Sequence, residues 1–321
     1  MDQNKLLKMS SITKKICVAL LGGFLLIFLL VHASANLCII RDDGGLWYSN
    51  FCHFFGTNYV VKVFEIILLA ALLLHIVLTI WLQIGNWKSR PVRYHQASKT
   101  KTATGSKFMI WTGILILAFL VLHFFNFYFV KIGLVEGKYM VKTEALQEEM
   151  MKFNQSEKAQ NAQSVFMMQN IQSEEEANAF FESLRTRTDL TAQEQDALDY
   201  INFTDALMAV MDNNPEGKFI HDISAEQRDA INACIPEADV EPDFYKIARE
   251  LFMNPLYVII YLLCFVVLWF HMRHAFESAF QTLGWNNYKY YRAIEIIAIC
   301  YAWLICLMFA AVPLLIITGI A

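Results

Sequence analysis

Four of the five long apolar segments of this 321-residue chain carry a histidine in their interior. These histidines are His32, His75, His123 and His271. An imidazole placed in hydrocarbon is costly, so such a residue marks a functional site by default. Because a six-coordinate haem iron needs two opposed axial ligands, four membrane imidazoles would serve two haems. The residues therefore predict a membrane protein that binds haem.

Composition and hydropathy support this class. The chain is 56% hydrophobic, and its charged residues are concentrated in a few stretches. Five apolar runs approach the roughly 20 residues needed to cross a bilayer. They are Ile16 to Ile40, Val60 to Ile84, Phe108 to Val130, Leu256 to His274 and Ile294 to Ile317. We predict an all-α membrane protein, a bundle of five transmembrane helices with a helical soluble insertion between the third and fourth.

The predicted domains follow from these spans. Residues 1–132 hold transmembrane helices 1 to 3, residues 133–252 form the insertion, and residues 253–321 hold helices 4 and 5. The connection from Lys131 to Phe252 contains about 24 acidic and about 11 basic residues. Capping-box pairs indicate helix starts within it, and Asn213 to Gly217 indicates a turn. The pairs are Ser173 with Glu176, Thr191 with Glu194, and Ser224 with Gln227. By default such an insertion is a solvated acidic cap.

Basic residues set the expected orientation. They cluster before the first span and between the second and third, which places both regions in the cytoplasm by the positive-inside rule. The residues are Lys5, Lys8, Lys14, Lys15, Lys88, Arg90, Arg93, Lys99, Lys101 and Lys107. The N-terminus is then cytoplasmic, while the insertion and the C-terminus lie on the other, periplasmic side. The first span also resembles a signal peptide ending in Ala33-Ser34-Ala35, but its apolar run continues to Ile40, which favours a retained helix.

Helical counting sorts the histidines into two depths. At about 1.5 Å per residue, His32 and His123 lie roughly 13 Å below the outer boundary, and we call them the outer pair. His75 and His271 lie roughly 20 to 25 Å down, and we call them the inner pair. His274 follows His271 by one helical turn, and either residue could be the inner ligand. We favour His271.

Two glycines repeat one spacing. Gly22 precedes His32 by ten residues, and Gly113 precedes His123 by the same ten. Ten helical residues span about 15 Å, so both glycines should lie near the depth of the inner pair. A missing side chain there would let a flat macrocycle approach the backbone. The alternative is that these glycines are small residues at helix contacts.

These residues together resemble a known family, the cytochrome b membrane subunit of the five-helix, di-haem succinate dehydrogenases and quinol:fumarate reductases. The matching features are Gly22-x9-His32, Thr112-Gly113-x9-His123, His75, and His271 with Gly284. The resemblance implies that the outer pair ligates a distal haem b and the inner pair a proximal haem b. It covers nearly everything except the insertion, where the family has a short loop.

The resemblance also implies partners and a reaction. In that family a flavoprotein subunit with FAD converts succinate or fumarate, an iron–sulfur subunit relays electrons, and the membrane subunit exchanges them with menaquinone or another quinone. The complex lies in the bacterial inner membrane and can dimerise as a heterotrimer. This sequence contains no G-x-G-x-x-G, and its seven cysteines form no C-x-x-C run. Dicarboxylate chemistry is therefore expected on other chains, and no nucleic-acid partner is expected.

The quinone site is indicated by a single residue. Glu65 precedes His75 by ten residues, and a carboxylate in the outer half of that span could exchange protons with quinone near the distal haem. It could equally be a structural carboxylate bonded to a neighbouring helix. Some family members have a glutamate two residues before the proximal ligand on the fourth helix, where this chain has Trp269. That difference puts the corresponding proton route in doubt.

Two further points remain open from the sequence. Cys38 and Cys52 flank an outer loop and can form a disulfide, and Cys234 could compete for either of them. His53, His95 and His221 should face solvent in loops. A function of another class is a transport or sensory membrane protein in which the histidines relay protons or pack. A nearer alternative is the haem-bearing anchor of a different quinone-linked oxidoreductase.

Overall fold

A computed structural model describes residues 10–89, 104–169, 173–213, 218–236, 240–285 and 287–320. The chain divides into two compact units. Met1–Phe124 with Arg249–Ala321 forms one, which we call the membrane unit, and Phe125–Ala248 forms the other, the insertion unit. We describe each by itself.

The helices and strands occur in a fixed order along the chain. The helices are α1 (Ser11–Asn36), α2 (Leu46–Thr57), α3 (Tyr59–Lys88), α4 (Thr104–His123), α5 (Phe129–Lys131), α6 (Thr143–Phe153), α7 (Glu157–Met168), α8 (Glu174–Thr186), α9 (Ala192–Asn213), α10 (Ala225–Cys234), α11 (Phe244–Met253), α12 (Pro255–Thr282) and α13 (Tyr291–Ile317). The strands are β1 (Tyr139–Lys142), β2 (Phe219–Ile223) and β3 (Glu241–Pro242). A 3₁₀ turn, Leu37–Ile40, continues α1, and a π-helical turn, Phe124–Tyr128, continues α4.

Among the described residues, five helical segments are long and apolar enough to cross a membrane. They are Ser11–Ile40, Tyr59–Lys88, Phe108–Lys131, Pro255–Thr282 and Tyr291–Ile317. The predicted class, an all-α multi-pass membrane protein, is confirmed. The fourth helix continues to Thr282, past the predicted end of its span at His274. Counting apolar residues finds only the part of a helix that crosses the hydrocarbon. The helix itself continues past His274 through polar residues such as Glu277, which forms an i,i+4 ion pair with Arg273.

Polar side chains fix where these helices begin. Ser10 caps α1 by accepting a hydrogen bond from the Thr13 amide at 3.1 Å. Asn58 caps α3 through the Val60 amide at 2.9 Å, and Asn254 caps α12 through the Leu256 amide at 3.0 Å. Each cap satisfies an amide that the helix leaves without an intrahelical partner, which matters most where water is scarce.

Helix α12 is the centre of the membrane unit. It packs against α13, α4 and α1, and α3 packs against α1. The Phe265 ring of α12 stacks on Phe309 of α13, with centroids 5.5 Å apart. The Cys306 thiol donates to the Phe265 carbonyl at 3.2 Å, and the Tyr301 hydroxyl donates to the Leu26 carbonyl of α1. Without a hydrophobic driving force between helices in lipid, such packing and interhelical hydrogen bonds supply the specificity.

The insertion unit combines helices with a small antiparallel sheet of strand order β2-β1-β3. Tyr139 and Val141 of β1 and Ile220 and Ile223 of β2 are buried in its core. Helices α7 and α9 run side by side and are joined by Lys158 Nζ to Asp199 Oδ2 at 2.7 Å. The predicted helices are present, but the sheet was not predicted, because strands of two to five residues are too short to show a clear alternation.

The three predicted capping boxes start helices as expected. Ser173 accepts from the Glu176 amide at 3.2 Å, and Ser224 and Gln227 form a complete box. The Thr191 hydroxyl accepts from the Glu194 amide at 3.3 Å, while the Glu194 carboxylate accepts the Thr191 amide at 2.9 Å. That bond and Arg187 lower the pKa of Glu194 to about 2. Of the predicted turn 213–217, residues 214–217 lie outside the described residues.

Two histidines expected in solvent-facing loops lie elsewhere. His221 belongs to β2, and its Nδ1 lies 2.8 Å from Oδ2 of the fully buried Asp243. His53 belongs to α2 and is partly buried. Both predictions were wrong, because His221 lies in a short strand beside Asp243, which is distant in sequence, and His53 lies in the short helix α2. His95 lies outside the described residues.

None of the seven cysteines forms a disulfide, so the pairing of Cys38 with Cys52 is not formed. Cys234 is buried in the insertion unit and donates to the Asp199 carbonyl at 3.5 Å. Burial raises the pKa of its thiol to about 11, which makes the thiolate scarce.

Candidate functional site

The outer pair brings two imidazoles from different helices together. The rings of His32, from α1, and His123, from α4, have centroids 6.0 Å apart and planes at 82°. Since a bond between a metal ion and an imidazole nitrogen is about 2 Å long, imidazoles on opposite sides of one metal have centroids roughly 6 Å apart. The separation of this pair matches two ligands of one metal, and it equally matches a direct edge-to-face contact between two rings.

Aromatic side chains surround His32. Its ring stacks on Phe28 at 5.2 Å and meets Phe309 of α13 at 5.7 Å. The Asn36 amide nitrogen lies 3.4 Å from Nε2 of His32, and the Asn36 carbonyl oxygen accepts from the Tyr48 hydroxyl at 3.3 Å. Both contacts are long for hydrogen bonds, so Asn36 holds this ring only weakly.

His123 lies where the α-helical geometry of α4 ends. Its ring neighbours are Phe119 at 5.8 Å and Tyr261 of α12 at 6.4 Å. The π-helical turn begins at the next residue, Phe124. π-helical turns inside helices occur often at functional sites, because the extra residue changes which side chains face inward. Nothing in the sequence pattern indicated this turn.

The inner pair lies against the two glycines. A methyl group added at Gly22 of α1 would lie 3.6 Å from Cε1 of His75 in α3. One added at Gly113 of α4 would lie 3.7 Å from Cε1 of His271 in α12. Both are ordinary van der Waals distances, so each glycine borders an imidazole without being crowded by it. The spacing argument placed these residues at one depth, and the structure brings them into contact.

A threonine fixes the proton of His271. The Thr112 hydroxyl lies 3.1 Å from Nδ1 of His271 and 2.9 Å from the Met109 carbonyl. A hydroxyl has one proton, and a carbonyl can only accept, so the hydroxyl donates to Met109 and accepts from the imidazole. The Nδ1 atom then carries the proton, and Nε2 keeps the lone pair that a metal would use.

The other inner histidines differ from His271 in their surroundings. Nδ1 of His75 is buried and has no hydrogen-bond partner among the described residues. His274 lies near Glu277, and the contacts with Thr112 and Gly113 belong to His271. The choice between the two α12 histidines is therefore informed by a contact that sequence spacing alone did not reveal.

The remaining predicted residues are spread along the unit. Glu65 is partly buried in α3, about 15 Å along the helix from His75. Trp269, at the position of the family glutamate, has a ring centroid 5.5 Å from that of Trp303. The loop residues Arg90, Arg93, Lys99 and Lys101 and the first-segment Lys5 and Lys8 lie outside the described residues, as does the Lys107 side chain. Lys14 lies over the Trp81 ring at 4.1 Å, and Lys88 ends α3.

In the part of the chain that the structure describes, no group of three or more His, Cys, Asp or Glu residues is placed to hold a bare metal ion. A haem iron needs fewer protein ligands, because the porphyrin supplies four of its six and two histidines complete the set. Paired imidazoles beside glycines thus suit a haem better than an isolated metal ion.

Comparison of the chain with protein-family models, with curated proteins and with solved structures found no match.

Proposed function

We propose that this chain is a di-haem cytochrome b that anchors a quinone-linked respiratory complex in the membrane. The observation that carries the proposal is that the rings of His32 and His123 lie together, with centroids 6.0 Å apart. The same two helices, α1 and α4, also place Gly22 and Gly113 beside the inner pair. Intramembrane histidines matched in this way favour a cofactor over isolated packing contacts.

The residues present fit two haems. His32 and His123 would hold one, and His75 and His271 the other, with His274 as the alternative ligand that the Thr112 contact disfavours. Gly22 and Gly113 let the imidazoles of His75 and His271 lie close to the α1 and α4 backbones. Each haem iron supplies one-electron redox chemistry between its ferric and ferrous states.

The chain's own side chains prepare the site for that chemistry. Thr112 holds the proton of His271 on Nδ1, which orients the ring and leaves Nε2 available. Phe28, Phe309, Phe119 and Tyr261 pack around the outer pair and exclude water. Ten residues separate each glycine from the histidine on its helix, so the two pairs lie about 15 Å apart along the bundle axis.

The rest of the proposed pathway comes from the family resemblance. Electrons would pass between an iron–sulfur subunit, the inner haem, the outer haem and a quinone such as menaquinone, while a flavoprotein subunit handles succinate or fumarate. Glu65, in the same helix as His75, would exchange protons with the quinone. The basic residues around the α3–α4 connection would face the cytoplasm of a bacterium and the partner subunits, and the insertion would face the periplasm.

A spectrum tests the haem assignment directly. The full-length protein, purified from its membrane, should show cytochrome b bands in its reduced-minus-oxidised spectrum and bind two haems per chain. The variant His271→Ala should lose one haem, whereas the neighbouring His274→Ala should keep both. The absence of cytochrome b bands would reject the proposal and favour a transport or sensory protein.

The partner assignment needs a separate measurement. Subunits that co-purify with the chain should include a flavoprotein and an iron–sulfur protein, and the complex should oxidise succinate with a quinone or reduce fumarate with a quinol. If the chain contains haem but co-purifies with a different catalytic subunit, the cytochrome b proposal stands. The chain would then belong to another quinone-linked oxidoreductase.

A further inference from the structure

Helix α2 exposes aromatic side chains and buries polar ones. Its aromatic residues Trp47, Phe51, Phe54 and Phe55 are spaced at i, i+4, i+7 and i+8, so they share one side of the helix. Trp47 and Phe54 are each 54% exposed. On a surface helix of a soluble protein such a stripe faces the core. The reversed arrangement in α2 indicates that its outer side does not face water.

The four aromatic side chains form one patch, which we call the aromatic face of α2. The rings of Phe51 and Phe55 stack with centroids 4.4 Å apart, and Phe54 meets Phe55 edge to face at 5.5 Å. The Arg41 guanidinium lies 4.7 Å from the centroid of the Trp47 ring. An exposed apolar patch of this kind marks a surface that contacts another protein or a membrane.

The other side of α2 is buried in the protein. Ser49 is 1% exposed and Tyr48 is 8% exposed. The Tyr48 hydroxyl donates to the side-chain carbonyl of Asn36, the last residue of α1. The helix packs against α3 and against the 3₁₀ turn that continues α1. The aromatic face is therefore the surface that α2 presents to its surroundings.

The position of α2 favours a membrane over a protein as the occupant of this surface. The helix joins the end of the span Ser11–Ile40 to the start of the span Tyr59–Lys88, and Asn58 alone separates it from the second span. Arg41 and Lys62 flank α2 in sequence, and long cationic side chains reach the headgroups at the ends of spans. Both ends of α2 thus lie at the membrane boundary.

We propose that the aromatic face of α2 lies in the interfacial layer of the bilayer and contacts phospholipid where the acyl chains meet the headgroups. Trp and Phe on one face of a helix suit this depth. The patch also continues the lipid-facing surface of α3, where Val60 is 65% exposed and Val63 is 57% exposed. This surface is independent of haem binding, so the proposal stands or falls separately from the cytochrome assignment.

Photoreactive lipids test the contact in the wild-type protein. Nanodiscs would hold the full-length chain and phosphatidylcholine with a diazirine either near the glycerol or at the end of the acyl chain, and mass spectrometry would locate the adducts. The shallow probe should label Trp47 and Phe54 several-fold more than the deep probe does. The deep probe should prefer Leu73, which is 64% exposed in the middle of α3. Ser49, on the buried side of α2, should remain unlabelled.

Two results of this experiment would overturn the proposal. One is the absence of shallow-probe adducts on α2 while Leu73 is labelled by the deep probe, because the aromatic face would then lie outside the bilayer. The other is deep-probe labelling of Trp47 and Phe54 as strong as that of Leu73, because α2 would then lie in the hydrocarbon core. No substitution is involved, so neither result depends on the folding of a variant.

A matched pair of variants tests whether the apolar face makes the contact. Phe54→Glu should reduce shallow-probe labelling of α2 several-fold, because a carboxylate is unfavourable among acyl chains. Phe54→Leu keeps an apolar side chain and should retain the labelling. Labelling of Leu73 in the same samples shows that each variant is inserted. Equal labelling of α2 in the glutamate and leucine variants would contradict the proposal.

A photoreactive residue distinguishes lipid from protein as the occupant. The full-length chain with p-benzoylphenylalanine in place of Phe54 should form a phospholipid adduct when it is irradiated in its native membrane. A cross-link to a second copy of the chain, or to another subunit, would show that a protein covers the aromatic face and would overturn the proposal.

Discussion

The two histidine pairs are built in different ways. In the outer pair, His32 and His123 face each other across α1 and α4, and aromatic rings hold them with little hydrogen bonding. In the inner pair, each imidazole rests on the glycine of a neighbouring helix, and Thr112 fixes the proton of His271. Packing positions the outer pair, whereas hydrogen bonding and missing side chains position the inner one.

Removing a ligand should separate the two pairs most clearly. We expect His123→Ala to abolish the outer haem and keep the inner, and His75→Ala to do the reverse, since each iron loses one of two protein ligands. Haem content per chain and low-temperature spectra would measure this. His53→Ala, in α2, is the matched control and should retain both haems. If His75→Ala kept both, the inner ligand would be misassigned.

Filling the glycine surfaces should affect the inner pair alone. Gly22→Leu and Gly113→Leu place a branched side chain beside His75 and His271, so inner-haem occupancy should fall while the outer haem stays. Alanine should be tolerated at both positions, because the added methyl meets the imidazole at an ordinary contact distance.

Gly23→Leu provides the control for this experiment, since nothing lies within 4 Å of an added methyl there. Quantitative haem extraction would compare the variants. Equal loss of both haems in Gly22→Leu would indicate general misfolding of α1, and full occupancy would show that these glycines serve helix packing only.

The hydroxyl of Thr112 should matter less than a ligand but more than an ordinary hydrogen bond. Thr112→Val keeps the shape and removes the acceptor for His271 Nδ1, and groups that orient metal ligands typically change metal affinity by about 10- to 100-fold. A haem titration, together with the midpoint potential of the inner haem, would show the change. Thr112→Ser should restore both values, and an unaltered inner haem in the valine variant would remove Thr112 from the site.

The smallest effect is expected at Asn36. Its 3.4 Å contact with His32 is long, and a net hydrogen bond contributes about 1 kcal/mol, so Asn36→Leu should alter outer-haem affinity only a few-fold. The same titration would measure it. Loss of the outer haem in this variant would show that hydrogen bonding, and not packing, positions the outer pair.

Much of the membrane architecture could be predicted because its signal is local. Runs of apolar residues identify the five helices, and Ser173, Thr191 and Ser224 identify helix starts in the insertion. The ten-residue spacing from Gly22 to His32 and from Gly113 to His123 gives their relative depth, because helical rise is constant.

The remainder depends on contacts between distant residues. The contact that supports His271 over His274 comes from Thr112 on α4, and the sequence does not show that Thr112 packs against α12. The burial of His221 comes from Asp243, and the π-helical turn after His123 has no periodic signature. Arg273 and Glu277 form an i,i+4 pair that could have been noticed, but Glu295 joins them only through packing of α13.

The distribution of the histidines has a consequence for assembly. The α1–α3 hairpin carries His32 and His75, and the α4 and α12 partners carry His123 and His271. Each half thus contributes one histidine to each pair, and under the proposed assignment neither half could supply both ligands of an iron. Binding of each cofactor would then stabilise only those chains in which the two halves have already associated, and two cofactors would do so twice.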